Sequence, residues 1–390
     1  MAGPPVFNIE PVQFRSDPYP VLATLRSECP IAYVPQLDSI LFTRRNDIAT
    51  AEKDIAVFSS HQPDGLMNQL MGQNMMRKDG EEHQLEKKAL FPAISPATVR
   101  DHWTAVFQFY ADKLLDELEP AGEADLVKDF ALPYSADCLR SLTGLTNITA
   151  QQMDSASQHM IDGIANYAGD IETEARCNQA TALLDRAINE IAKKTEHSAE
   201  PSLLNVMLQS VMPIGNVRSN IKLAISGGQN EPRDAIAGAV WALLNHPQQY
   251  KLVLSGDVGY LKVFEEYARW ISPIGMSPRR IAMQHRFNDI ELQTDDRIFF
   301  MFGSANRDER CFEFPAQFNL KNDTSKSIAF GAGPHFCAGA WASRAMIADV
   351  ALPSVFKRLK GLRINHKKPV PVMDGWAFRG LLNLPVEWDF

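Results

Sequence analysis

Residues Phe330 to Met346 read FGAGPHFCAGAWASRAM. Gly331, Gly333 and Gly339 surround Cys337, and an apolar helical pattern, AGAWASRAMIADVALPSVFKRL, opens at Ala338. A cysteine at a helix start has free backbone N–H groups and the positive end of the helix dipole beside it. Both lower its pKa and stabilise a thiolate. Such a thiolate serves as a nucleophile or as a metal ligand. A nucleophile needs a base, and His335, two residues away in the loop, would have to turn back to act as one. The other four cysteines (Cys29, Cys138, Cys177, Cys311) are widely spaced and no C-x-x-C occurs. They read as reduced, buried side chains, not as a zinc site or a disulfide framework.

Around this loop the chain has 390 residues, 45% hydrophobic and 22% charged, which is ordinary globular material. No linker, repeat or low-complexity tract divides it, so one domain over residues 1–390 is expected. The net charge of −8 with dispersed Lys and Arg argues against a nucleic-acid partner. MAGPPVFNIEPVQF lacks a basic region followed by an apolar one, and AIAGAVWALL falls short of the ~20 apolar residues of a membrane span. A soluble, cytoplasmic protein without a membrane anchor is the expectation.

Apolar residues at three and four spacing predict helices in PYPVLATLRSE, ATVRDHWTAVFQFYADKLLDELE, FALPYSADCLRSLTGL and RDAIAGAVWALLNHPQQYKLVL. Pro96 with Ala97 and Pro201 with Ser202 mark starts. Short strand patterns, IAYVP, SILFTR, RRIAM, DRIFFMF and LPVEWDF, lie mostly toward the two ends. The predicted class is mainly α: a large helical domain with small peripheral β-sheets.

The arrangement Phe-Gly-x-Gly-x-His-x-Cys-x-Gly resembles the cytochrome P-450 family of haem-thiolate monooxygenases. Glu266 and Arg269 in FEEYARW match the family's Glu-x-x-Arg pair, which shares one helix face. Asn306 and Arg307 in SANRDERCFEFPAQFN match the approach to its meander. The resemblance covers nearly the whole chain. It implies haem b (heme b, iron protoporphyrin IX) with Cys337 as the axial thiolate, which favours O–O cleavage. It also implies propionate contacts from His83, Lys87, Arg280 and His335. The family's usual arginine four residues after the histidine is Lys87 here, which carries charge without a bidentate fork, and the one two residues after is Leu85.

Ile225 to Gly238 reads ISGGQNEPRDAIAG, inside a run that otherwise looks like one buried helix. Each glycine there costs about 1 kcal/mol against alanine and proline about 3. The resemblance aligns this stretch with the distal helix over the haem. Gly227 and Gly228 fill the first positions of the family's Ala-Gly-x-Asp/Glu-Thr pattern, Asn230 stands at the acid and Glu231 at the threonine. Pro232 removes a backbone N–H, which predicts a kink at Gly228 with room for water or O2. The expected catalytic set is Glu231, Asn230 and Gly228. Glu231, with a pKa raised by burial, would relay protons. Arg233 points away from Glu231, toward Asp234 or another acid.

No Gly-x-Gly-x-x-Gly unit or ferredoxin-like cysteine run is present, so electrons would come from a separate ferredoxin or flavin/iron–sulfur reductase. Lys87, Lys88, Arg344, Lys357, Arg358 and Lys360 are candidates for a basic docking face. An H2O2-using, peroxygenase-like enzyme is the alternative that the missing threonine suggests, and a non-catalytic haem sensor is a third. Candidate substrate contacts by family position are Met67, Gly227, Ile274, Met276 and Phe378, for which plain core packing is the competing reading. These apolar residues suggest a small apolar substrate. The Asn-Glu-Pro pattern resembles that of aromatic O-demethylases, pointing to a methoxyphenol; a terpenoid or fatty acid is the alternative.

Overall fold

The computed structural model describes residues 3–166, 169–193 and 200–389. The chain forms two compact units. One comprises Met1–His61, Ala237–Cys337 and Pro369–Leu384; the other comprises Gln62–Ile236, Ala338–Lys368 and Pro385–Phe390.

The first unit holds a five-stranded sheet built from Ile31–Val34 (β1), Ser39–Phe42 (β2), Phe58–Ser59 (β3), Ser277–Ile281 (β4) and Arg297–Phe300 (β5). The strand order is β1-β2-β5-β4-β3, with β2 and β5 parallel (Ile40 beside Ile298, Phe42 beside Phe300) and the other pairs antiparallel. Side chains alternate across a strand, and here the alternation separates two cores. Ile40, Phe42, Ile298 and Phe300 enter one cluster with Phe58 and Ile281. Leu41 and Phe299 enter the other with Phe14, Leu22 and Leu25. A sheet covered on both faces reads as a continuous apolar run, as IFF does. The β4 strand begins two residues before the RRIAM pattern and ends at Ile281.

The second unit is mainly helical, with one three-stranded sheet of Glu123–Asp125, Pro385–Glu387 and Arg363–Ile364. Ser95 caps the helix that opens at Pro96, accepting the Thr98 N–H, and Ser202 caps Leu203–Gln209 by accepting that of Asn205. The run from Pro96 to Leu118 stays helical through a π-turn at Val99–Trp103. Leu132–Thr143 stops at Gly144, whose φ of 85° is a left-handed cap. The predicted run RDAIAGAVWALLNHPQQYKLVL, which passes into the first unit at Ala237, divides into Asn230–Asn245 and Pro247–Leu254, because Pro247 opens a new helix after His246. Among the described residues no helix is long and apolar enough to cross a membrane.

Candidate active site

The cysteine loop is shaped by two left-handed glycines, Gly331 (φ 76°) and Gly333 (φ 70°). A Cβ on Gly333 would lie 2.7 Å from the Glu52 carbonyl oxygen, so only glycine fits. A 3-10 turn over Gly333–His335 follows, and the Cys337 N–H donates to the Phe330 carbonyl at 2.9 Å, closing the loop on itself. The helix begins at Ala340, two residues later than the sequence pattern suggested, because Gly339 occupies the capping position. Cys337 is the exposed thiol; Cys138 and Cys177 are buried and Cys29 and Cys311 half-buried.

Among the described residues no group of three His, Cys, Asp or Glu side chains is placed to hold a metal ion. A single presented thiol therefore fits a metal whose remaining ligands come from a macrocycle, as in haem. A zinc centre needs three or four protein ligands and does not fit.

Behind the loop, Arg269 donates to both carboxylate oxygens of Glu266 at 2.8 and 2.7 Å, and to the carbonyls of Asn306, Pro315 and Gln317. Glu266 also accepts the Asn319 N–H and the Asn322 amide. Asn306 Oδ1 then accepts the Ile328 N–H at 2.8 Å, and the Ile328 carbonyl accepts that of Gly331. A continuous hydrogen-bonded path thus joins the Glu-x-x-Arg pair to the glycine turn. Arg307 stacks on Tyr19, 3.3 Å from the ring centroid, and burial lowers its pKa to about 10.

His83 is buried and Lys87 half-buried on one face of Gly80–Ile94, whereas Leu85 is 61% exposed. The missing arginine at position 85 therefore falls on the outer face. Arg280, the expected propionate contact on this strand, is half-buried. Its guanidinium pairs with Asp295 at 2.5 Å and donates to the His61 carbonyl, at the rim of the sheet. Strand alternation turns its neighbour Arg279 inward, where it is buried against Glu52 at 2.9 Å. Neither Glu52 nor Arg279 was picked out from the sequence, because a glutamate in ATAEKD reads as a solvated helix charge. The double arginine in SPRRIAM was the one available signal, and strand period two decides between its members.

The predicted kink is a full break. One helix ends at Ser226 and the next starts at Asn230. Pro232 lies in the first turn of the second helix, where its absent N–H forfeits no helical bond, so the expected proline strain does not arise. Gly228 is required for another reason: a Cβ there would lie 2.4 Å from the Ala224 carbonyl oxygen. Ser157 donates to the Ile225 carbonyl, Gln229 to Asp154 and Asn230 to Gln158. The Gln229 Oε1, Asn230 Oδ1 and both Glu231 carboxylate oxygens are buried without a hydrogen-bond partner. Although Glu231 is half-buried as a residue, its carboxyl group is shielded, and this burial pushes its pKa up to about 8, with Asp234 adding to the rise. Arg233 Nε is held by Asp234 at 2.7 Å, as its position on the helix predicted.

Of the substrate candidates, Ile274 and Phe378 are brought together by an isolated antiparallel bridge. Gly227 is exposed at the helix break. Met67 and Met276 instead pack with apolar clusters, Met67 within one and Met276 against another. Arg379 donates to the carbonyls of Gly375 and Ser16 and stacks on Tyr19. In the basic set, Arg358 is bound to Asp116 and Glu119, which removes it as a free docking charge.

The cytochrome P-450 family model matches residues 257–388. The chain is 28% identical over 328 residues to cytochrome P-450 107B1 of Saccharopolyspora erythraea, covering 81% of this chain and 78% of that protein. It is 25% identical over 362 residues to the steroid C26-monooxygenase of Mycolicibacterium smegmatis, covering 89% of each. The crystal structure of CalO2 shares the fold, with a TM-score of 0.86, 24% identity, and coverage of 98% of this chain and 99% of that one. The matched segment carries the Glu266–Arg269 pair, the meander and the lone presented thiol. The chain belongs to the cytochrome P-450 family, a monooxygenase that holds haem b through the thiolate of Cys337.

Proposed function

We propose that residues 1–390 act as one catalytic domain that oxygenates a small, neutral, apolar substrate, with Glu231 as the proton-supplying acid. The observation that carries this reading is the shielded Glu231 carboxyl group, with neither oxygen hydrogen-bonded and its pKa pushed up to about 8. An acid of that pKa holds its proton at neutrality and releases it readily, the condition that general-acid catalysis favours. Haem b, when bound, supplies the iron that binds and activates O2. Glu231 then delivers a proton from its carboxyl oxygen, and Asn230 Oδ1 and Gln229 Oε1 accept donors such as water that reload it. Gly228 keeps the backbone free of a Cβ at the break. His83, Lys87, Arg280 and His335 keep the propionate roles that the family resemblance gives them.

The substrate is neutral on this reading, because both terminal nitrogens of Arg379 are held by backbone carbonyls and its guanidinium lies over Tyr19. Phe378 and Ile274 offer it an aromatic and an aliphatic contact. A methoxyphenol fits: hydroxylation of its methyl group gives a hemiacetal that collapses to a phenol and formaldehyde. Electrons come from a separate ferredoxin or flavin/iron–sulfur reductase. The test is formaldehyde release from a methoxyphenol panel with reductase and NADH, alongside substrate-induced spin-shift titrations of the ferric haem. A spin shift with terpenoids or fatty acids and none with methoxyphenols discards the O-demethylase reading. The steroid C26-monooxygenase relative favours a larger apolar substrate as the second reading. Turnover with H2O2 at the same rate, without reductase, would instead establish the peroxygenase that the missing threonine suggests.

A further inference from the structure

Glu52 follows the last turn of the helix Arg45–Ala51, and its side chain is 1% exposed. One carboxylate oxygen receives Arg279 Nη2 at 2.9 Å, and the other accepts the N–H of Ala332, between the two left-handed glycines of the cysteine loop. The main chain of the same residue also meets the loop: its carbonyl oxygen would lie 2.7 Å from a Cβ on Gly333. Arg279 is held in turn by Ser277 Oγ at 2.7 Å and by the Pro278 carbonyl at 2.8 Å, with its guanidinium over the Phe300 ring.

A carboxylate buried this deeply is tolerated only beside a cation and hydrogen-bond donors. Burial pushes the Glu52 pKa up, while Arg279 and the Ala332 N–H pull it back. Surface helices have no use for such an arrangement. Its geometric consequence lies in the loop: Ala332 and Gly333 form the turn whose Gly333 carbonyl accepts the Phe336 N–H, immediately before Cys337.

We propose that Glu52 is a positioning residue for Cys337, clamping the glycine turn through the Ala332 N–H and so setting where the thiolate is presented. It does this without touching the haem. The inference rests on Cys337 as the axial ligand and on contacts within one compact unit.

The test compares Glu52→Ala, Glu52→Gln and Glu52→Asp in the haem-loaded, full-length protein by two readouts. Hydrogen exchange is followed over residues 328–336 and, as an internal reference, over strands β2 and β5. The red-shifted Soret band of the ferrous–CO form reports the thiolate. In Glu52→Ala, loop exchange rises about tenfold relative to the sheet, the scale of losing a hydrogen bond to a charged acceptor. A fraction of the ferrous–CO population then loses the red shift. Glu52→Gln, which keeps an oxygen for the Ala332 N–H, restores most of the loop protection. Unchanged loop exchange in Glu52→Ala overturns the proposal. Equal acceleration in the loop and the sheet overturns it too, since that marks a general loss of stability. If Glu52→Ala does not accumulate, Glu52→Asp decides by the same comparison, because it keeps the charge but shortens the reach by one methylene. Absence of the red-shifted band in the wild-type protein would refute the thiolate assignment itself, separately from Glu52.

Discussion

Arg269 donates from Nε and Nη2 to the two carboxylate oxygens of Glu266, and neither side chain reaches solvent. Three-residue spacing on the helix Tyr260–Ile271 aligns the pair, and the remaining guanidinium and carboxylate sites are filled from the meander. Removing one partner leaves the other charged and buried. Glu266→Ala should therefore destabilise the protein by about 3–5 kcal/mol, measured by denaturant unfolding. An apolar replacement of both residues should recover part of that loss.

At the helix break the two glycines should behave differently. A Cβ at position 228 would lie 2.4 Å from the Ala224 carbonyl oxygen, whereas one at 227 would lie 3.4 Å from that of Leu223. Gly228→Ala is expected to cost about 1–3 kcal/mol through backbone displacement. Gly227→Ala should stay within about 0.5 kcal/mol of wild type. Thermal unfolding of the two variants in parallel checks the contrast; equal losses would mean that the break is not set by this contact.

Glu231 titrates at about 8 in the folded protein against an ordinary value of 4.5. Below pH 4.5 both states carry the proton; between 4.5 and 8 only the folded state keeps it; above that both are ionised. This group therefore lowers stability as pH rises through the window, by up to about 1.4 kcal/mol per unit. Glu231→Gln should gain on wild type from pH 5 to 8, in denaturant midpoints at fixed ionic strength. In turnover the same variant should retain haem and substrate binding but divert electrons to peroxide. An unchanged product yield per NADH would remove the proton-supply role.

The ferrous–CO form of the wild-type protein should show the strongly red-shifted Soret band of a thiolate ligand, and Cys337→His should lack it. A shifted band in that variant would require another cysteine as ligand, although Cys138 and Cys177 are buried.

Arg279 and Arg280 should separate by readout. Arg280→Ala should release haem to an apoprotein acceptor at least about tenfold faster, the scale of one charge-assisted contact. Arg279→Ala leaves Glu52 buried without its cation, so it should cost about 3–5 kcal/mol in denaturant unfolding. Unchanged haem release in Arg280→Ala would remove that residue as a propionate contact.

The cysteine loop, the Glu-x-x-Arg pair and the interrupted distal run were all legible in the sequence because each is local. Glycines that need positive φ, residues three apart on a helix, and a proline after two glycines carry their physics within a few positions. The helical class and most strands were legible from periodicity for the same reason.

Tertiary structure decided what local spacing leaves open. Leu85 and Lys87 are equivalent as letters until the helix is packed; then position 85 faces outward and position 87 shares the buried side with His83. Arg279 and Arg280 are adjacent, and only the pairing of β4 with its neighbours selects which one is buried. Glu52 meets Ala332 across 280 positions of chain, so no pattern around either residue announces the contact. Sequence determined which chemistry the chain carries, because motifs are short-range. The burial and charge environment that tunes it arises from long-range packing, which only the fold supplies.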